Sequence, residues 1–143
     1  MYKRQKYGVH PELECFDLGM INYGKYLIQK KRITEPCYWN LIFGNIAGFQ
    51  TNLNQIAVAI NEIPRDHYVG IGGIGDYQLK ANSIAISSGK GVRIGMEDNL
   101  WYDKNKKVAA SNINLLKRVH SLIEINESRL MSSKELGLSL IHI

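Results

Sequence analysis

The chain has 143 residues, 45% of them hydrophobic and 22% charged, with a formal net charge of +5. That suits one globular domain or a piece of a larger one, and a complete (β/α)8 barrel of roughly 250 residues would leave this chain about half of the fold. The basic residues are scattered (Lys3, Arg4 and Lys6; Lys30, Lys31 and Arg32; Lys104, Lys106 and Lys107) without a stacking-aromatic or zinc-finger pattern, which argues against a nucleic-acid partner.

No apolar run approaches the roughly 20 residues of a membrane span, and the opening MYKRQK has no apolar signal-peptide core, so a soluble, cytoplasmic protein is expected. Cys15 and Cys37 lie inside apolar runs and belong to no CxxC pair, the usage of buried free thiols in a reducing compartment.

Along the chain, residues 1–8 read as the tail of an earlier helix. Glu12 to Phe16 (ELECF) reads as a strand, and a helix from about Met20 to Lys31 follows, with Ile21, Leu27 and Ile28 among its apolar positions. Tyr38 to Phe43 (YWNLIF) is a second strand, ended by Gly44-Asn45. A helix over Asn52 to Ile63 places Leu53, Ile56, Ala57 and Ile60 on one face and stops at Pro64. A third strand, Tyr68 to Ile71, runs into glycines, and Tyr77 to Ser87 reads as the next helix. Val92 to Met96 is the fourth strand. After a long loop, Ser111 is a suitable N-cap for a helix over about 112–126, whose core face is Leu115, Leu116, Val119, Leu122 and Ile123. Short apolar strands alternating with helices predict a parallel sheet covered by helices. A doubly wound sheet and a segment of a barrel both fit that pattern.

The densest polar constellation is Arg93, Glu97, Asp98 and Asn99 in GVRIGMEDN. With the period-two alternation of a strand, Arg93, Gly95 and Glu97 share one face, directed towards the strand's carboxyl end, where barrel enzymes place their chemistry. An inward arginine requires a negative partner, because an unpaired buried charge is costly. That partner is a bound carboxylate substrate, Glu97 or Asp98; a salt bridge closing off the strand end is the equally weighted alternative. Glu14 is a carboxylate in the middle of a short strand, where it either contacts substrate or forms an interior salt bridge, for example with Arg93. Gly70-Ile-Gly72-Gly73-Ile-Gly75 formally matches GxGxxG, a loop that lets phosphate approach backbone amides at a helix start. A plain tight turn explains it as well. His10 and His67 precede strands, His120 lies within the last helix and His142 in the terminal tail, so no histidine reaches a strand's carboxyl end. Catalytic zinc takes three protein ligands, and Glu97 alone does not hold it.

PELECFDLG, the glycine-rich GIG and GVRIGMEDN, in this order, resemble the β-keto acid cleavage enzyme family, that of the 3-keto-5-aminohexanoate cleavage enzyme of lysine fermentation. The similarity runs from about His10 to Leu138. It implies a (β/α)8 TIM barrel that forms homo-oligomers, of which residues 1–138 are the C-terminal half, (βα)4, strands five to eight. It also implies exchange between acetyl-CoA and a β-keto acid, giving acetoacetate and a new acyl-CoA. By the same resemblance Glu97 is a zinc ligand whose two histidine partners belong to the other half, and Asp98 helps to deprotonate the substrate. Arg93 works with that acid, Glu14 lines the substrate pocket, and Gly72, Gly73 and Gly75 lie on the coenzyme side. The family's Gly-Gly before the last strand is here Gly89-Lys90-Gly91, and Asp76 follows the GIG turn where many members have a basic or neutral residue.

The final LSLIHI reads as a sequencing-adaptor translation, so residues 139–143 are expected to be non-native and the chain a fragment that is inactive alone. A different barrel lyase or aldolase would need a Schiff-base lysine at a strand end, and none of the four strands ends in lysine; two further rival readings remain. One is a dinucleotide-binding oxidoreductase domain using Gly70 to Gly75; the other is a non-catalytic half-barrel that self-associates through its open edges.

Overall fold

The computed structural model describes residues 10–141; the expectations for residues 1–8 and for His142 fall outside the described residues. Four strands, β1 (Glu12–Cys15), β2 (Tyr38–Phe43), β3 (Tyr68–Gly73) and β4 (Gly91–Val92), form one sheet in the order β1-β2-β3-β4, all parallel. Helices α1 (Leu18–Gln29), α2 (Leu53–Asn61) and α3 (Gln78–Ser87) connect successive strands, and α4 (Asn112–Ile125) and α5 (Ser133–Ile141) follow β4. A short 3-10 turn, Gly75–Tyr77, leads into α3. A doubly wound dinucleotide fold reverses its strand order at a switch point. The described strands show no reversal. The sequential order is that of a singly wound sheet and is consistent with half of a barrel.

The register sorts the strand side chains onto two faces. Leu13, Cys15, Trp39, Leu41, Phe43, Val69, Ile71 and Val92 share one face and meet Ile21 of α1, Ile56 and Ala59 of α2, and Ala81 and Ala85 of α3. This is the core, with Trp39, Leu41, Phe43 and Ile71 fully buried. Each such side chain contributes roughly 1.5–3 kcal/mol by leaving water. The opposite face carries Glu12, Glu14, Tyr38, Asn40, Ile42, Gly70, Gly72 and Arg93.

Helix starts follow their caps. The Asp17 carboxylate accepts from Met20 N at 2.8 Å, and Asn52 Oδ1 accepts from Gln55 N at 2.9 Å. Ser111 caps α4 as expected, in a reciprocal box with Asn114. The expected helical faces are partly shifted. In α2 the buried positions are Ile56 and Ala59, while Leu53 and Ala57 face solvent. In α4 Leu115 and Val119 are buried and Leu116 is half exposed. α5 was not anticipated. Its start uses Ser132 and Glu135, whose side chains bond each other's backbone N–H, with Arg129 paired to Glu135. That arginine pulls the Glu135 carboxyl down to about 2.

β3 runs into the glycines as expected and reaches Gly73, so Gly72 and Gly73 are strand residues. The last strand differs from expectation: β4 ends at Val92 instead of Met96. Beyond it, the carbonyls of Arg93 and Gly95 accept from side chains of α3, not from a further strand, and residues 95–99 close a turn through Asp98 N and Asn99 N to Gly95 O. Cys15 and Cys37 are free and buried, and burial pushes both thiols up to about 11. Among the described residues no helix is long and apolar enough to cross a membrane.

Candidate active site

Arg93 is the first residue after β4, held beside β3 by its N–H donating to Ile71 O at 3.1 Å. Its side chain lies across Gly72, where an added Cβ would sit 3.1, 3.2 and 3.3 Å from Arg93 Cβ, Cγ and Cδ. A side chain at 72 would therefore crowd the Arg93 stem, which would have to shift by a few tenths of an ångström.

Three carboxylates converge on that guanidinium. Glu14, from β1 at the far side of the sheet, meets Nη1 at 2.5 Å. Asp98 takes a forked contact, Nε to Oδ2 at 2.9 Å and Nη2 to Oδ1 at 3.3 Å. Glu97 lies 3.5 Å from Nη2. The Asp98 hydrogen bond is the largest influence on Arg93 and raises its already high pKa, with Glu14 and Glu97 adding to the effect. The fork fixes the plane of the Asp98 carboxylate as well as its position. One guanidinium among three carboxylates leaves two formal negative charges (three minus one) at this spot.

The expected inward row of Arg93, Gly95 and Glu97 is only partly formed, because β4 ends before it. Glu97 sits on the turn with 86% of its side chain exposed, whereas the Asp98 side chain is 9% exposed. Residues of α3 shape this turn. Asn82 Nδ2 donates to Arg93 O at 2.9 Å and Gln78 Nε2 donates to Gly95 O at 2.9 Å, both side chains being buried. Asn112 Oδ1 accepts from Met96 N at 2.9 Å, tying the turn to the start of α4. A depression of about 340 Å³ over Arg93 and Asp98 is walled by Glu12, Tyr38 and Asn40.

The glycine run divides between packing and cleft. A Cβ on Gly73 would stand 2.6 Å from Tyr77 O, so its absence lets α3 approach the sheet. Gly75, with φ of +57°, opens the turn before α3 and lines the neighbouring cleft, and its N–H donates to Asp98 O at 2.7 Å. The backbone thereby holds Asp98 from a second side.

His10 and His67 precede β1 and β3, away from Arg93, as the sequence places them. The His67 side chain is buried, accepting from Trp39 Nε1 at 2.9 Å and facing Glu35 at 3.2 Å. His120 lies on α4. The described residues contain no cluster of three side chains able to hold a metal ion. Glu97 is exposed, with its contact to Arg93 at 3.5 Å.

Sequence reasoning did not single out Asn40, Gln78 or Asn82. Asn40 Nδ2 donates to Glu12 Oε1 at 2.5 Å on the polar face. The signal was available: an asparagine in the middle of YWNLIF is a polar residue inside an apolar strand.

A family model described as beta-keto acid cleavage enzyme matches residues 1–138. The 3-dehydrocarnitine:acetyl-CoA trimethylamine transferase of Rhizobium meliloti is 29% identical over 90% of this chain and 42% of its own length. The 3-keto-5-aminohexanoate cleavage enzyme of Acetoanaerobium sticklandii is 32% identical over 80% of this chain and 41% of its own length. The 3,5-dioxohexanoate:acetyl-CoA acetone transferase of Paraburkholderia graminis is 25% identical over 82% of this chain and 39% of its own length. The chain spans about two fifths of the length of the curated relatives it matches.

Proposed function

The chain belongs to the beta-keto acid cleavage enzyme family, and on that premise we propose that it supplies the Arg93–Asp98 half of an active site that exchanges acyl groups between acetyl-CoA and a β-keto acid. The observation that carries this reading is the forked Arg93–Asp98 pair at the carboxyl end of the sheet, open to a depression walled by Glu12, Tyr38 and Asn40. Asp98 is a carboxylate of fixed orientation that is 9% exposed and lines this depression, a placement suited to a general base.

In this reading Asp98 takes a proton from the carbon between the ketone and the carboxylate of the β-keto acid. That carbon forms a bond to the acetyl carbonyl carbon, and the thiolate of coenzyme A leaves. The thiolate then attacks the original keto carbon, the old carbon–carbon bond breaks, and Asp98 returns its proton to the carbon released. The products are acetoacetate and the new acyl-CoA, with no oxidant or reductant consumed. Arg93 holds Asp98 in place and offsets negative charge as it develops, while Glu14 fixes the far side of the guanidinium and borders the substrate. Gly72 keeps the path of Arg93 clear, Gly73 seats Tyr77, and Gly75 lines the coenzyme side.

Glu97 is assigned as one zinc ligand, with the other ligands supplied from outside the residues described. When bound, zinc would polarise a carbonyl oxygen as a Lewis acid. The net negative charge around Arg93 and the exposure of Glu97 support a cation there. In this reading the 143 residues are inactive by themselves, and the protein works as a homo-oligomer in a reducing cytoplasm, a compartment in keeping with two buried free thiols.

The test is acetoacetate formation from acetyl-CoA and a panel of β-keto acids by the complete gene product, with metal content measured in parallel. Exchange with bound zinc, both lost in Glu97→Ala, supports the assignment; exchange that persists without Glu97 removes the metal role. No exchange with any β-keto acid removes the reaction class.

A further inference from the structure

A second cleft, of about 740 Å³, opens beside the Arg93 cluster between the loops that follow β3 and β4. Glu97 and Asp98 line both this cleft and the depression over Arg93, so the two adjoin. Their chemistry differs. The inner end is rich in carboxylates. At the outer end Lys80 of α3 converges with Lys104 and Lys106 of the loop between Trp101 and Ala109. Asp76 lies 3.8 Å from Lys106 Nζ; with Glu97 and Asp98 the lining holds three lysines and three carboxylates, two of those carboxylates being the ones shared with the Arg93 depression. Among the described residues Lys80 and Lys104 pair with no carboxylate. Tyr77 and Trp101, 46% and 38% exposed, add aromatic surface to the same walls.

The lysine-bearing loop has a fixed shape. Trp101 and Ala109 form an antiparallel bridge, and the Asp103 carboxylate accepts from the N–H groups of Asn105, Lys107 and Val108 at 3.2, 2.9 and 2.6 Å. Arg118 of α4 braces it by donating to Tyr102 O at 2.6 Å and lying 4.5 Å over the Tyr102 ring. Asn99 holds Trp101 at both backbone groups, at 2.8 and 3.0 Å.

We propose that this outer cleft binds the phosphorylated nucleotide end of coenzyme A, with Lys80, Lys104 and Lys106 meeting its phosphates and the purine stacking on Trp101. The inference rests on the acyl-exchange reading and names the subsite that reading leaves open. Phosphates require cations, and a purine ring stacks readily on an exposed aromatic side chain. The charge gradient along the cleft also sets direction: carboxylates at the inner end repel phosphate, so the carrier enters with its thioester towards Asp98. The site is made by side chains, since the backbone amides of Ile74, Gly75 and Tyr77 are already donating to Phe43, Asp98 and Ile74.

The experiment follows tryptophan fluorescence of the complete gene product during titration with coenzyme A, adenosine 3′,5′-bisphosphate and pantetheine, with Trp101→Phe as the reference. Trp39 is fully buried, so the exposed Trp101 is the reporter in this segment. The expected result is quenching by coenzyme A and by the bisphosphate but not by pantetheine, and its disappearance in Trp101→Phe. Changing Lys80, Lys104 and Lys106 together to Glu is expected to raise the Kd of coenzyme A about tenfold or more, the loss of one charge-assisted contact at least. Turnover with S-acetylpantetheine should stay within about twofold, because that carrier lacks the charged end. If charge reversal disturbs folding, the Lys→Gln versions of the same exposed positions test the same contacts. An unchanged Kd in the lysine variants overturns the cleft assignment, and it leaves the reaction standing if S-acetylpantetheine still turns over. Lysine-dependent binding without any acyl exchange supports the cleft and sinks the reaction.

Discussion

Along the same strands, Leu13, Cys15, Trp39, Leu41, Phe43, Val69 and Ile71 alternate with Glu12, Glu14, Asn40, Gly70, Gly72 and, just past β4, Arg93. The first set is packed under helices and its cost of change is thermodynamic. The second set is polar, small or charged, partly open to solvent, and joined by directed contacts instead of by volume. A side chain on one face can be altered without entering the packing of the other, which is how a rigid sheet can present reactive groups.

That separation is open to attack from either face. The largest effect is expected from Arg93→Ala in the complete gene product, a loss of about 10³-fold in acyl exchange, because Asp98 loses its forked support and developing charge loses its cation. Arg93→Lys should recover little, since an ammonium cannot replace the fork. A variant within tenfold of the parent would show that the polar face is structural only. On the other face, Trp39→Ala is expected to cost about 3–5 kcal/mol in urea unfolding by leaving a large cavity. If it lowers turnover more than the lost folded fraction explains, the two faces are coupled.

A smaller effect tests the contact between adjacent polar-face positions. Gly72→Val places methyl groups against the Arg93 stem and is expected to reduce turnover about tenfold, from a misplacement of well under 1 Å at the reacting atoms, with a change in Tm that does not scale with it. Equal losses in activity and stability would place Gly72 in packing alone. Smallest of all, Ser111→Ala removes the α4 cap and should cost about 1 kcal/mol without changing the KM for either substrate; a shifted KM would tie α4 to the site.

The alternation of apolar strands with helices was legible because buried strands and half-buried helices leave strong periodic signals. The roles of Glu14, Arg93 and Asp98 were less so. Spacing placed each near a strand end or on an inward face, but the 79-residue separation of Glu14 and Arg93 closes only through the sheet register. The early end of β4 was hidden for a related reason. VRIGM has the pattern of a strand, and only the buried amides of Gln78 and Asn82, reaching from α3 to the carbonyls of Gly95 and Arg93, show where the ladder ends. The glycine run matched a phosphate-loop spelling, yet a Cβ at Gly73 would strike the Tyr77 carbonyl and one at Gly72 would crowd the Arg93 stem. Helix α5 carried a readable Ser-x-x-Glu start at Ser132 and Glu135, a local signal that the strand and helix periodicities did not include.

In the proposed reaction the carboxylate held by Arg93 moves the substrate proton. Asp98→Asn keeps the size of the side chain and an oxygen for Arg93 while removing the base, so kcat of this variant in the complete gene product is the most direct measurement, with circular dichroism and Tm as controls. A fall of about 10²–10⁴-fold with an unchanged fold is predicted, the range a positioned general base contributes. A kcat within a few-fold of the parent would contradict the claim and return the Arg93–Asp98 pair to a strand-end salt bridge.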